Sequence, residues 1–513
     1  MLSKVFSAGL LGIDAYLVDV EVDIAQGLAN WNTVGLPESS VRESRDRVIA
    51  AIKNSGYHFE RKRITINLAP ADIRKEGTAF DLPIALGLLA SSDLIPQDVF
   101  GDALILGELS LHGEVKPVPG VLSIALLAKK LGYKKIILPE KNIPEASVVE
   151  GVSIYGVRFL SDVVQHITGE RPLTPSPCQS FSQLLPAQES FLPLPDFSDI
   201  KGQPQAKRAL EVAAAGGHNL LMIGPPGSGK TMLAQRLSTI IPPMSFEESL
   251  ETSRIYSAVG LLKGSLIVQR PFRSPHHTIS GAGLAGGGSH PRPGEVSMSH
   301  QGVLFLDELP EFQKNVLEIL RQPLEAGIVT IARALSTITY PAQFMLVAAM
   351  NPCRCGFLGS NIRECVCTPG DLKLYRSRLS GPLLDRIDIQ IDVPPVKFGE
   401  LTSLQEGESS EKIRHRVLKA RDIQKERFQK LKVRSNSQMS SRLLRKFCAV
   451  DTEGSRLLEQ AVEKLGLSAR AYDRILKVSR TLADLEGGSA IKKTHLAEAI
   501  HYRSLDRNLG AKV

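Results

Sequence analysis

Residues 18–24 alternate strictly as Val-Asp-Val-Glu-Val-Asp-Ile, which predicts a half-buried strand with one acidic face. A second strand is expected at 63–68, after a helical stretch beginning near Ser40. Apolar runs predict helices over 79–91 and 121–131 and short strands at 104–106 and 135–138. This pattern continues to about residue 168 and ends at Arg171-Pro172-Leu173-Thr174-Pro175-Ser176-Pro177, with Pro186, Pro193 and Pro195 beyond. Prolines at that density without periodicity are not expected to hold regular structure, so 171–195 reads as a linker. From Ile200 strands alternate with helices, the sign of a parallel α/β sheet. After Pro394-Pro395 strand signals vanish and amphipathic helical pattern runs to the end. The expected domains are therefore 1–170, 196–395 and a helical lid over 396–513.

Three or four domains also suit a chain of 513 residues, at one domain per roughly 150 residues. No run reaches the length of a membrane span. Residues 1–12 hold one lysine and lead into Asp14, Asp19, Glu21 and Asp23, so no signal peptide is expected and the chain reads as cytoplasmic, without a membrane partner. The net charge of +8 is uneven. Residues 411–450 hold thirteen Lys/Arg against three acids, or +10, leaving the rest of the chain at −2. Such a run is either a solvated helix face or a nucleic-acid surface.

The chemistry is concentrated after the linker. Leu220-Leu221-Met222-Ile223 is a short buried-strand pattern entering Gly224-Pro225-Pro226-Gly227-Ser228-Gly229-Lys230-Thr231, with a helical pattern after it. This is the phosphate-binding G-x-x-x-x-G-K-[ST] in its required context: glycines let backbone N–H groups wrap the phosphates, Lys230 reaches the β/γ-phosphates and the Thr231 hydroxyl ligates Mg2+. Val303-Leu304-Phe305-Leu306 is a second buried strand ending in Asp307-Glu308, placed to hold Mg2+ and to polarise the attacking water. A third, 344–350, ends at Asn351, a polar group suited to orienting that water. ATP and Mg2+ are thus expected, with ATP hydrolysis the activity. Gly281-Ala282-Gly283-Leu284-Ala285-Gly286 fits a dinucleotide fingerprint but lacks the preceding strand. It reads as part of a mobile insertion over 260–300, in which His276-His277 serves loop packing or meets DNA.

Cys353-Arg354-Cys355 and Cys365-Val366-Cys367 supply four thiols in fifteen positions. That set matches tetrahedral Zn2+, although the C-x-C spacing is tighter than usual; reduced thiols or a redox pair are the alternatives. Two β-rich halves around a turn at 329–340 place Arg333 near the tip.

The blocks Asp196-Phe197-Ser198-Asp199-Ile200-Lys201-Gly202-Gln203, Arg273-Ser274-Pro275-His276-His277-Thr278, Leu320-Arg321-Gln322-Pro323-Leu324-Glu325 and Asn351-Pro352-Cys353 resemble the magnesium-chelatase-like AAA+ family known as YifB/ComM. The resemblance covers essentially the whole chain. It implies an AAA+ P-loop αβα core with a C-terminal helical lid, in which Asn351 is the first sensor, Arg386 the arginine finger acting across a subunit boundary, and Arg470 the second sensor. It also implies a homo-hexameric DNA motor that drives branch migration or unwinding of single-stranded or branched DNA during recombination and uptake of transforming DNA, with recombinase or competence proteins as possible partners. In related motors a hairpin before the first sensor projects into the pore, where Arg333 would grip phosphate; a merely exposed hairpin is the alternative. Residues 1–170 resemble the α+β proteolytic domain of Lon and a domain of the RadA recombination ATPase, through Lys75-Glu76-Gly77-Thr78-Ala79-Phe80-Asp81 and Gly107-Glu108-Leu109. Ala79 and Leu122 stand where the Lon serine and lysine belong, so no peptidase activity is expected. The competing function is a chelatase-like or Lon-like ring that remodels a protein partner.

Overall fold

The computed structural model describes residues 2–505, apart from 59–61, 97, 189–194, 289–290, 334–335, 360–362, 402–406 and 432. It divides into two compact units, residues 1–191 with 245–268, and residues 192–244 with 269–513.

The first unit is built on a seven-stranded mixed sheet. Its order is Asn30–Val34, Arg63–Ala69, Asp14–Ala25, Leu2–Leu11, Ala103–Ile105, Lys135–Pro139 and Ser153–Val157. The alternating segment sits centrally in it: Val18, Val20 and Val22 are fully buried, as period-2 patterning requires. Helix Asp81–Ser91 is buried at every residue, which explains its unbroken apolar sequence. Helix Val121–Leu131 covers the sheet with Leu122 fully buried.

Two boundaries differ from the sequence expectation. The 196–395 core is not continuous, because 245–268 joins the first unit. Helix Phe246–Ala258, capped by Ser245 Oγ on the Glu248 N–H at 3.2 Å, packs on helix Val121–Leu131. Arg254 reaches Asp14 at 2.6 Å, Ser257 donates to Glu145 at 2.6 Å, and Leu266 enters the apolar cluster around Leu122. The face this helix buries is mostly polar, Ser249, Thr252, Ser253 and Ser257 beside Ile255, so no apolar periodicity announces which sheet it covers. Nor is the linker wholly irregular: Phe181–Gln188 is helical. Its first turn contains no proline, Gln183 Oε1 accepts the Ser180 N–H at 3.3 Å, and Phe181 stacks edge-on against Phe246.

The second unit holds a parallel five-stranded sheet in the order Phe272–Arg273, Val303–Leu306, Met345–Met350, Leu220–Ile223 and Ile389–Asp392. The three central strands are buried along their whole length, as expected for a sheet covered on both faces. Within the expected insertion, Gly281–Ala285 is a short helix capped by Ser280, not a loop. The C-terminal part is helical as expected, in Ser410–Arg427, Ser441–Phe447, Thr452–Leu465, Ala469–Leu485 and Lys493–His501. No described helix is long and apolar enough to cross a membrane.

A buried polar chain fixes these helices to the sheet. Asp484 accepts from Arg427, from Arg480 at 3.0 Å and from Asn436 at 2.8 Å. Thr481 Oγ1 contacts Asn436 at 3.1 Å and His218 at 2.8 Å. His218 faces Asp388 at 3.5 Å, and Asp388 also pairs with Arg474. Burial alone would raise the Asp388 pKa, but Arg474 and His218 hold it well below the usual carboxylate range. Removing one partner of such a set strands buried charge. Asp484→Ala should therefore cost about 3–5 kcal/mol in denaturant unfolding followed by helical signal; a loss under about 1 kcal/mol would contradict this role.

Candidate functional site

Parallel strands bring their carboxyl ends to one edge, and the polar residues that follow three central strands meet there. The phosphate loop leaves Ile223, and Gly229 adopts φ +84° at the cap of helix Lys230–Ile240. That left-handed turn suits glycine and aims the first helical N–H groups at one point. Lys230 Nζ donates to Gly224 O at 2.8 Å, Pro225 O at 2.9 Å and Asn351 Oδ1 at 3.3 Å. Burial lowers the Lys230 pKa, while Asp307 and Glu308 act to raise it. Thr231 Oγ1 donates to Asp307 Oδ2 at 2.7 Å, and Asp307 Oδ1 accepts the Glu308 N–H at 2.9 Å. The loop 224–229, Lys230, Thr231, Asp307, Glu308 and Asn351 thus form one constellation.

Three further residues of this neighbourhood were not assigned to it from the sequence. Gln203 Nε2 donates to Ser228 O at 2.8 Å and to Pro394 O at 2.9 Å, tying the phosphate loop to the segment after strand Ile389–Asp392. Tyr375 donates to Asn351 O at 3.3 Å. Most pointed is His277, whose Nδ1 lies 3.4 Å from Glu308 Oε2. Its ring stacks on His276 and meets Phe312 edge-on. Glu308 itself has φ +51°, a conformation that costs a non-glycine residue energy and is held only by its surroundings. His276-His277 is conspicuous in sequence, but its distance from Glu308 along the chain hides the contact.

The four cysteines converge. Thiolates 2.3 Å from a common tetrahedral centre stand about 3.8 Å apart; here Cys353–Cys355, Cys353–Cys365 and Cys355–Cys365 are 3.4, 3.7 and 3.6 Å apart. With Cys367, all four sulfurs lie within 4.8 Å of one another and none is in a disulfide. The residues fit a tetrahedral metal. Gly356, at φ +87°, follows Cys355, and a Cβ there would stand 2.6 Å from Pro226 of the phosphate loop. The cysteine loop therefore abuts the phosphate loop through a contact only glycine allows.

The two arginines lie elsewhere. Asn219, just before the phosphate-loop strand, donates to Arg386 O at 2.9 Å, so Arg386 sits at the amino end of the sheet, away from Lys230. The residue is 3% exposed, and its guanidinium donates to Pro382 O and Glu325. Arg470 lies 3.8 Å from the same Glu325 carboxylate. The structure brings Arg386 and Arg470 to each other and not to their own phosphate loop. Arg333 ends the first strand of the hairpin Ile328–Arg333/Ser336–Pro341; its side chain lies outside the described residues.

The basic run 411–450 is partly internal. Arg416 pairs with Glu211 at 2.5 Å, Arg421 donates to Ala214 O at 3.0 Å and Arg427 holds Asp484. Lys412, Lys419, Lys425, Lys430, Arg442, Arg445 and Lys446 are exposed. In the first unit, Ala79 and fully buried Leu122 pack in one apolar cluster, leaving neither nucleophile nor base at the positions matched to the Lon dyad.

Three family models match the chain. The model for magnesium chelatase, subunit ChlI, matches residues 196–401, that for subunit ChlI of Mg-chelatase matches 20–142, and that for the ChlI C-terminal region matches 407–503. The chain is 45% identical over 511 residues to the uncharacterized protein YifB of Escherichia coli strain K12, covering 99% of this chain and 98% of that one. It is 45% identical over 513 residues to the competence protein ComM of Haemophilus influenzae, with the same coverage. A stretch of 175 residues is 27% identical to Lon protease 2 of Bacillus subtilis, 31% of each chain.

If His277 aims the Glu308 carboxylate, His277→Ala should lower kcat for ATP hydrolysis by roughly 3- to 10-fold with KM unchanged. Steady-state kinetics check this, and an unaltered kcat would contradict it.

Proposed function

Because the chain belongs to the YifB/ComM family of magnesium-chelatase-like AAA+ proteins, we propose that it is an ATP-driven DNA motor, working as a homo-hexamer on single-stranded or branched DNA to promote branch migration or unwinding during recombination and uptake of transforming DNA. The carrying observation is the convergence of Lys230, Thr231, Asp307, Glu308 and Asn351 at one sheet edge, in a chain alike over its whole length to a protein named for competence.

The roles follow from the contacts. Backbone N–H groups of 227–231 and Lys230 bind the ATP phosphates. Thr231 and Asp307 would hold Mg2+, which neutralises phosphate charge when bound. Glu308, aimed by His277, accepts a proton from the attacking water. Asn351, already bonded to Lys230, orients that water. Arg386 and Arg470 share an edge remote from their own phosphate loop, so both act on a neighbouring subunit's nucleotide, which makes hydrolysis depend on the ring. The hairpin bearing Arg333 and the exposed basic side chains of the C-terminal region supply contacts to DNA phosphates. Recombinase or competence proteins would load the motor, and the cytoplasm is where those partners meet it.

Cys353, Cys355, Cys365 and Cys367 would hold structural Zn2+, fixing the loop that abuts Pro226. Protein purified without chelator should carry near-stoichiometric zinc by elemental analysis, and Cys355→Ser with Cys365→Ser should lose it and raise KM for ATP by about 10-fold or more. Zinc-free wild-type protein would reject the site.

The second function, remodelling of a protein partner without peptidase activity, is favoured by the Lon likeness of part of the chain. One assay separates the two: dissolution of a synthetic four-way DNA junction by wild type and by Lys230→Ala. The DNA-motor reading predicts ATP-dependent dissolution, lost by about 100-fold or more in the variant. ATP hydrolysis without dissolution would leave remodelling standing.

A further inference from the structure

The short helix Arg321–Ala326 ends at Gly327 in the left-handed conformation, and the next residue opens the hairpin Ile328–Arg333/Ser336–Pro341. The Ala342 N–H returns to Gly327 O at 2.8 Å and closes the base of the hairpin. Glu325, on the last turn of that helix, thus stands two residues before Gly327 at the hairpin base. It is also the group to which Arg386 donates and beside which Arg470 stands at 3.8 Å.

This arrangement is unequal in charge and exposure. The guanidiniums of Arg470, Arg321 and Arg474 all act on that of Arg386. Arg474 is engaged by Asp388 and Arg321 by Glu318 at 2.7 Å, which leaves Glu325 as the carboxylate shared by Arg386 and Arg470. Arg386 is almost fully buried, and its Nε has no hydrogen-bond partner among the described residues. Glu325, by contrast, is half exposed, so it can turn into water at small cost while Arg386 cannot. A carboxylate and a terminal phosphate are alternative acceptors for the same guanidinium fork, and the phosphate carries the greater charge.

We propose that Glu325 is a coupling carboxylate: it holds Arg386 and Arg470 when no phosphate faces them, yields them to the terminal phosphate of ATP bound by the neighbouring copy, and passes that exchange through Gly327 to the hairpin. This rests on the proposed ring in which Arg386 acts across the subunit boundary. Glu325 touches no substrate in this scheme and is a positioning residue. Its removal frees the arginines for phosphate but unties the hairpin from them, so ATP affinity and DNA response move in opposite directions. A residue that merely propped Arg386 would not produce that split.

The test uses full-length wild type, Glu325→Gln, Glu325→Asp and Arg386→Ala, with ATP turnover measured with and without single-stranded DNA, alongside thermal melting. Glu325→Gln should lower KM for ATP by roughly 5- to 10-fold, keep DNA-free kcat within about 2-fold, and reduce stimulation by DNA to near unity. Glu325→Asp should move the same way by less. Arg386→Ala should lose about 1,000-fold in kcat. Unchanged KM and DNA stimulation in the Glu325 variants would overturn the proposal, as would a fall in kcat equal to that of Arg386→Ala. If Glu325→Gln melts early, Glu325→Asp decides, and wild-type behaviour in it overturns the proposal. Wild-type turnover by Arg386→Ala would instead remove the trans-arginine reading itself.

Discussion

Both faces of the parallel sheet in the second unit are buried, and that constraint governs where its chemistry can be. Leu220–Ile223, Val303–Leu306 and Met345–Met350 have no room for a polar side chain along their length. Polar groups therefore enter only where each strand ends. At the carboxyl ends this gathers Lys230, Thr231, Asp307, Glu308 and Asn351 through bonds that cross between elements far apart in sequence. At the amino ends the same rule gathers Asn219, Arg386 and Asp388. One sheet thus presents two polar edges: one holds the phosphate-loop constellation, the other the arginines.

Helix Ala469–Leu485 carries Arg470 and Arg474 at its start and Thr481 and Asp484 near its end, and the latter lock into the buried polar chain through His218 and Asn436. Arg474, paired with Asp388, ties the same helix to the arginine edge. On the phosphate side, His277 reaches Glu308 from the segment after strand Phe272–Arg273, and the cysteine loop presses Gly356 on Pro226. Through these contacts a change in either flanking segment would reach the site.

Much of this was legible in the sequence, for a physical reason. A phosphate loop needs glycines and a lysine at fixed spacing, and a buried strand ending in acids announces itself by an apolar run. The alternating strand at 18–24, the helices near 81–91 and 121–131, and the cysteine cluster were local patterns too. What escaped depends on tertiary partners. Helix Phe246–Ala258 buries a mostly polar face, with no apolar stripe to mark it, and only packing against Val121–Leu131 assigns it to the first unit. Arg416, Arg421 and Arg427 read as surface charge until their internal partners are seen. His277 and Glu325 meet their partners across 31 and 61 positions, beyond any periodicity.

In the proposed ring each phosphate loop is completed by an arginine from a neighbouring copy. Mixing Lys230→Ala protein with Arg386→Ala protein tests it most directly, because each variant keeps what the other lacks. At equal ratio and random assembly, about a quarter of interfaces would combine an intact Lys230 with a neighbour's Arg386. Recovery of ATP turnover to that order, from two preparations each inactive alone, is the result the account predicts. No recovery at any ratio, with both variants folded and assembled with each other, would contradict it.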